Sequence, residues 1–228
     1  MNLLARFLGF FFHHLYHGFA FAYDLVAAVA SFGQWFEWTK ATLPFIEGTR
    51  VLELGHGTGH LQVRLRSPKS PDFGLQSLET LESAPLVIGL DESSQMSRLT
   101  RRRLLQSGYA QINLARGVGQ ALPFAAGSFD SIVATFPAPY IAEAQTLSEA
   151  RRVLRNGGRL IVLIAAWPKS GVLQWVYRVT SQSPAEGVDI LKKKIDRLFS
   201  STRFKVETKI VEVKSASLLM VVAEKFLE

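Results

Sequence analysis

The run Val51-Leu-Glu-Leu-Gly-His-Gly-Thr-Gly-His60 constrains this chain more than any other stretch. Val51 to Leu54 read as a short buried strand. They pass directly into glycines at 55, 57 and 59, and Leu61, Val63 and Leu65 then open a helix. Alternating glycines at a strand-to-helix turn allow a sharp bend and let a ligand lie against main-chain N–H groups. That predicts a nucleotide-type site at the carboxyl end of a strand. Taken alone, the run is also what many tight turns look like.

The rest of the chain supplies the context. After a helix over 61–66, the prolines and small polar residues of 67–74 mark an irregular loop. A second strand, 86–90, ends in Asp91, where a carboxylate can accept hydrogen bonds from both ribose hydroxyls. A helix over 92–107 follows, whose Arg98, Arg101, Arg102 and Arg103 read as a solvated face. Strands are expected at 111–115, 129–135 and 159–165. A helix over 143–154 should stop at Asn156-Gly157-Gly158 in a left-handed turn. Helical segments near 172–177 and 187–199 precede two alternating strands, 204–213 and 218–226, close enough to pair as an antiparallel hairpin. The predicted fold class is therefore α/β, a Rossmann-like doubly wound, mostly parallel seven-stranded sheet with a C-terminal antiparallel hairpin. Residues 1–45 form an N-terminal helical extension or lid, and 46–228 the main domain.

The extension is aromatic-rich: residues 3–38 hold ten phenylalanines and tryptophans. On a helical wheel Arg6, His13, His17, Asp24 and Ser31 share one narrow polar stripe opposite a broad apolar arc. Three histidines and two glycines disfavour a membrane span. Arg6, the apolar run and Ala20-Phe21-Ala22 mimic a signal peptide, but export would part the glycine loop from cytosolic nucleotides. Two readings stay open. The helix packs as a lid on the domain or on a second subunit of a homodimer, or residues 3–21 lie on an anionic membrane surface. His13, His14 and His17 have no nearby carboxylate or thiol, so no metal site is expected.

A formal charge of +7 favours anionic surfaces, and the absence of cysteine excludes disulfides and fits a reducing cytoplasm. The expected location is cytoplasmic, and at the inner face of a membrane on the reading in which residues 3–21 bind it.

Five blocks together are similar to the class I S-adenosylmethionine-dependent methyltransferases, in particular their small-molecule ubiquinone/menaquinone branch. They are Glu53-Leu-Gly-His-Gly-Thr-Gly59, Gly89-Leu-Asp-Glu-Ser-Ser-Gln-Met96, Ala121-Leu-Pro-Phe124, Gly127-Ser-Phe-Asp130 and Leu154-Arg-Asn-Gly-Gly158. The resemblance covers about residues 23–165 and implies S-adenosylmethionine as cofactor. Glu53 and the loop Gly55, His56, Gly57 and Gly59 would meet its methionine moiety, and Asp91 its ribose. Val118 and Gly119 would border the adenine, with Val118 standing where the family usually has an aspartate. Thr135 and Phe136 would flank the methyl group, and Tyr23-Asp24 resembles the element that closes over the cofactor. Tyr23, Phe136 and Tyr140 are the expected acceptor contacts.

A sulfonium methyl is already activated, so the protein mainly has to align a nucleophile and exclude water. His56, His60 and Tyr140 are candidate bases by residue type alone. The leading function is methyl transfer to a small, apolar or lipid-soluble acceptor. Nucleic-acid methylation is the alternative enzyme reading, prompted by the basic charge and Phe136-Pro-Ala-Pro-Tyr140. That loop lacks the polar first residue and adjacent prolines that would grip a flipped base. A cofactor-binding, membrane-recruited protein without catalysis is the third reading, for which Val118 is the only sign.

Overall fold

A computed structural model describes residues 34–67, 85–169, part of 192–199, and 202–226. Tyr23, Asp24, the stripe of residues 3–21, the loop at 68–84 and the helix expected near 172–177 lie outside the described residues.

Helix α1 (Trp35–Lys40) and a 3-10 turn (Leu43–Phe45) lead into β1 (Arg50–Leu54) and α2 (His60–Leu65). Then come β2 (Leu86–Asp91), α3 (Ser94–Gln106), β3 (Leu114–Arg116) and β4 (Phe129–Thr135). A second 3-10 turn (Pro139–Ala142), α4 (Ala144–Val153), β5 (Leu154–Pro168), β6 (Phe204–Glu212) and β7 (Ala216–Lys225) complete the order. Among the described residues the strands form one sheet in the order β3-β2-β1-β4-β5-β7-β6. β1 to β5 are parallel, and β7 runs antiparallel to both β5 and β6. The doubly wound sheet and its terminal hairpin are thus as the sequence predicts, with β7 inserted between β5 and the edge strand β6.

Strand alternation builds two cores. Leu52, Leu54, Ile132, Ala134, Leu160 and Val162 face one side, against Leu147, Ala150 and Val153 of α4. Val51, Val133, Ile161 and Leu163 face the other, with Leu61 and Leu65 of α2 and with Trp38 and Leu43. Trp38 also donates from Nε1 to Ser215 Oγ at 2.9 Å, so α1 is anchored beside the start of β7.

Two boundaries differ from expectation. β3 is only Leu114–Arg116 because an edge strand pairs on one side, and its partner residues are limited to Gly89–Asp91. β5 begins at Leu154, immediately after α4. Its register with β4 jumps from Phe129↔Leu154 to Ser131↔Arg159, so the intervening residues bulge, with Gly157 at φ +71°. The asparagine–glycine–glycine stretch therefore bends a strand and does not cap a helix.

Asp130 organises the amino end of the sheet, opposite the glycine loop. It accepts from the Thr49 and Arg50 N–H groups, both at 2.8 Å, and pairs with the Arg50 and Arg155 guanidinium groups. Burial pushes its carboxyl up, but these donors prevail and hold it below its ordinary 3.8. Gly48 passes so close that a Cβ there would lie 2.4 Å from Asp130 Cβ. We predict that Asp130→Ala costs about 1–3 kcal/mol in urea denaturation by leaving the Thr49 and Arg50 N–H groups without their acceptor. A depressed acid stabilises above its unfolded pKa and loses that contribution as pH falls through the folded one. The wild type should therefore lose its advantage over the variant below about pH 4. Equal stabilities at pH 7 would contradict this.

Candidate active site at the glycine loop

The strand order reverses between β1 and β4, which opens a crevice at their carboxyl ends. The glycine loop lines it. Gly55 donates to Leu90 O at 2.8 Å, which ties the end of β1 to β2. Gly57, at φ +52°, donates to Asp91 Oδ2 at 2.9 Å, and Ser93 N–H donates to Asp91 Oδ1 at 2.8 Å. A buried carboxylate thus joins the loop to the first turn of α3. A Cβ added at Gly57 would meet nothing within 4 Å, so a larger residue there would project into open space. At Gly59, φ +83°, a Cβ would lie 2.5 Å from Thr100 Cγ2.

Thr100 and Arg103 of α3 brace the loop from below. Thr100 Oγ1 donates to Gly57 O at 2.7 Å, and the Arg103 guanidinium donates to Thr58 O. Arg98, Arg101 and Arg102 are exposed, whereas Arg103 is half-buried. Arg103 is therefore a loop clamp and not part of the solvated face.

Glu53 projects on the α2 side of β1, by the same alternation that places Val51 there. Burial pushes its carboxyl up to about 8, opposed by the Gln62 hydrogen bond, reinforced by the charge of Asp91 and opposed by Arg66. His56 is buried; burial pulls its pKa down despite the Asp91 charge. Its Nδ1 contacts Gly57 O and Thr100 Oγ1, and its Nε2 is sealed from solvent with no partner among the described residues. This imidazole braces the loop from inside. His60 opens α2 with its ring 3.5 Å from that of Phe36.

Tyr140 lies across the crevice. Its hydroxyl is 2.9 Å from where a Cβ at Gly55 would sit, and its ring edge 3.0 Å from the equivalent point at Gly119. Burial raises its phenol far above the ordinary value, with added repulsion from Asp91, Glu92 and Glu53. Such a hydroxyl donates hydrogen bonds and is not a base near neutral pH. Thr135 ends β4, and Phe136 follows at φ +46°, an uncommon conformation for a bulky residue. Its ring meets Trp35 at 4.0 Å and Trp38 at 6.4 Å, so α1 supplies an aromatic wall to this end of β4. Val118 is 42% exposed just beyond β3.

The structure therefore brings Glu53, the loop, Asp91, Gly119 and Tyr140 to one crevice, with Thr135 and Phe136 at the end of β4. Sequence reasoning missed Gln62, Thr100 and Arg103, which look like ordinary polar helix positions.

The fold, a mostly parallel seven-stranded α/β sheet, is shared with a solved structure: the YcgJ protein of Bacillus subtilis superposes with a TM-score of 0.55 at 15% identity, covering 85% of this chain and 98% of that one. The sequence profile of the ubiE/COQ5 methyltransferase family matches residues 10–195, and the chain belongs to that family. It is 33% identical over 162 residues to a demethylmenaquinone methyltransferase of Symbiobacterium thermophilum, covering 69% of this chain and 60% of that protein. It is 29% identical to the ubiquinone/menaquinone biosynthesis C-methyltransferase UbiE of Geotalea daltonii, covering 68% and 63%. The chain thus spans less than two thirds of the length of these relatives.

The two glycines should respond differently to substitution. Gly59→Ala meets Thr100 as well as the backbone penalty and should cost about 2–4 kcal/mol. Gly57→Ala has room and should cost only about 1–2 kcal/mol. Urea midpoints in the reverse order would contradict the packing beneath the loop.

Proposed function

We propose that this protein transfers a methyl group from S-adenosylmethionine to a carbon of a quinone-type, lipid-soluble acceptor. The observation that carries the reading is the pairing of two buried carboxyls, Glu53 and Asp91, around a glycine loop that presents open space. The residues suit the cofactor's parts. Glu53, whose burial leaves it wanting a positive partner, would take the amino group. Asp91 would accept from the ribose hydroxyls while retaining its bond to Gly57, since a carboxylate offers about four acceptor directions. Val118 and Gly119 would border the adenine by apolar and main-chain contact. When bound, the cofactor supplies a sulfonium methyl activated toward a nucleophile.

The chain's own residues then have to orient the acceptor and keep water out. Thr135, Phe136 and the Trp35 ring offer an apolar wall for a flat aromatic acceptor, and Tyr23 would close the site from the N-terminal side. Tyr140 would donate a hydrogen bond to an acceptor oxygen. Removing a ring-hydroxyl proton needs a base; burial argues against His56 and the raised phenol against Tyr140, which leaves His60 among the three candidates. A lipid-soluble acceptor also gives residues 3–21 a role: reversible binding to the cytoplasmic face of an anionic membrane, with a homodimer contact as the competing use of that apolar arc. No described helix is long and apolar enough to cross a membrane.

The test is transfer of labelled methyl from S-adenosylmethionine to a short-chain demethylmenaquinol. Labelled product in the organic phase is expected, and Asp91→Ala should lower cofactor affinity by about 1–3 kcal/mol, some five- to 150-fold. Unchanged affinity in that variant, or label in nucleic acid at a matching rate, would overturn the reading. In liposome flotation, the full chain should float with anionic vesicles at low salt and release at high salt. A chain lacking residues 1–22 should stay in solution.

A further inference from the structure

A helix packed on a sheet ordinarily meets it with aliphatic side chains. Helix α2 does so with Leu61 and Leu65, yet the same buried zone holds Gln62, fully buried, and Arg66 just past the helix end, 8% exposed. Burying an amide and a guanidinium is costly unless their hydrogen bonds are made. Here they form a chain. Arg66 Nη2 donates to Val87 O at 2.7 Å and to Gln62 Oε1 at 3.1 Å, and Nη1 donates to Gln111 O at 3.2 Å. A guanidinium can only donate, so the Gln62 oxygen is committed to it and the amide NH2 must face the other way. There Nε2 donates to Glu53 Oε2 at 2.7 Å. Gly89, the register partner of Glu53 on β2, makes the room: a Cβ at that position would lie 2.9 Å from His56 Cδ2 and 3.0 Å from Gln62 Nε2.

We propose that Gln62 and Arg66 are positioning residues, which hold the Glu53 carboxyl in the orientation that receives the amino group of a ligand in the glycine-loop crevice. This rests on the reading of that crevice as the cofactor site. The other groups around Glu53 do not replace them. Asp91 from β2 is a like charge; Tyr140 from the 3-10 turn has its phenol raised; His56 from the loop is held neutral by burial; Val133, the register partner on β4, is apolar.

The sign follows from these surroundings. Burial and Asp91 raise Glu53 to about 8, while Gln62 and Arg66 pull it down. In the ligand-free protein near pH 7 the carboxyl therefore keeps its proton. An incoming ammonium requires the ionised form, so binding expels that proton. Affinity should rise about tenfold per pH unit below the midpoint and level off above it. Removing Gln62 or Arg66 should move that midpoint to higher pH.

The experiment is calorimetric titration with S-adenosylhomocysteine from pH 6 to 9, each point in two buffers of different ionisation enthalpy, with folding checked by circular dichroism. Wild type should release close to one proton per ligand at pH 7. Glu53→Gln should lose both the release and the rising limb, and so records any limb due to the ligand's own amine. Gln62→Leu and Arg66→Met should shift the rising limb upward, weakening binding severalfold or more at pH 7 and much less at pH 9. If either fails to fold, Arg66→Lys, which keeps the charge but not the fork, carries the same expectation with a smaller shift. Variants that bind as wild type, or that weaken by one factor at every pH, overturn the positioning role. If Glu53→Gln instead retains the wild-type pH dependence, the assignment of Glu53 in the crevice fails, which is a separate result.

Discussion

The Asp91 carboxylate is the contact on which the rest of the site depends. One oxygen accepts from Gly57 and the other from Ser93, so a single buried side chain joins the end of β1 to the start of α3. Hydrogen bonds to a charged acceptor are roughly twice as strong as neutral ones, and burial reduces their screening. Once the loop is fixed there, Thr100 and Arg103 reach its carbonyls from α3, and Gly59 can sit against Thr100 without a Cβ in the way. The loop is thus shaped by the protein's own bonds, which spares a ligand the cost of ordering it.

The electrostatics of the crevice oppose those of the whole chain. The formal charge is +7, yet Asp91, Glu92 and Glu53 all act on the half-buried Tyr140 hydroxyl. Burying a carboxyl is unfavourable without compensation, and Glu53 responds by holding its proton more tightly, mainly through its burial and to a lesser degree through the neighbouring Asp91 charge. A ligand that brings both a cationic amine and a pair of hydroxyls answers both groups. The basic surface is a separate matter, with Arg98, Arg101 and Arg102 exposed on α3, away from the loop contacts that Arg103 makes.

Most of the fold could be read from apolar periodicity. β4 lies at the predicted bounds, 129–135, because a fully buried strand between two turn signals has little freedom to end elsewhere. β3 could not be bounded this way: its length is set by how much of β2 it can pair with, which no local pattern records. The Asn156-Gly157-Gly158 stretch announces a positive φ but does not say whether a helix stop or a strand bulge uses it. At the glycine loop, the glycines stood out by their alternation at a strand-to-helix turn and Asp91 by its place at the tip of the second strand. Gln62 and Arg66 were not, since two polar residues four apart look like the wet face of an amphipathic helix. Only the depth of α2 against the sheet turns them into a buried chain ending on Glu53.

The most direct test of this account is a crystal structure of the protein with S-adenosylhomocysteine bound. Ribose oxygens should lie within hydrogen-bond distance of the Asp91 carboxylate, with the Gly57 N–H still donating to it, and the ligand's amino group should lie at Glu53. Ligand density elsewhere on the sheet, or an Asp91 that must release Gly57 to meet the ribose, would contradict it.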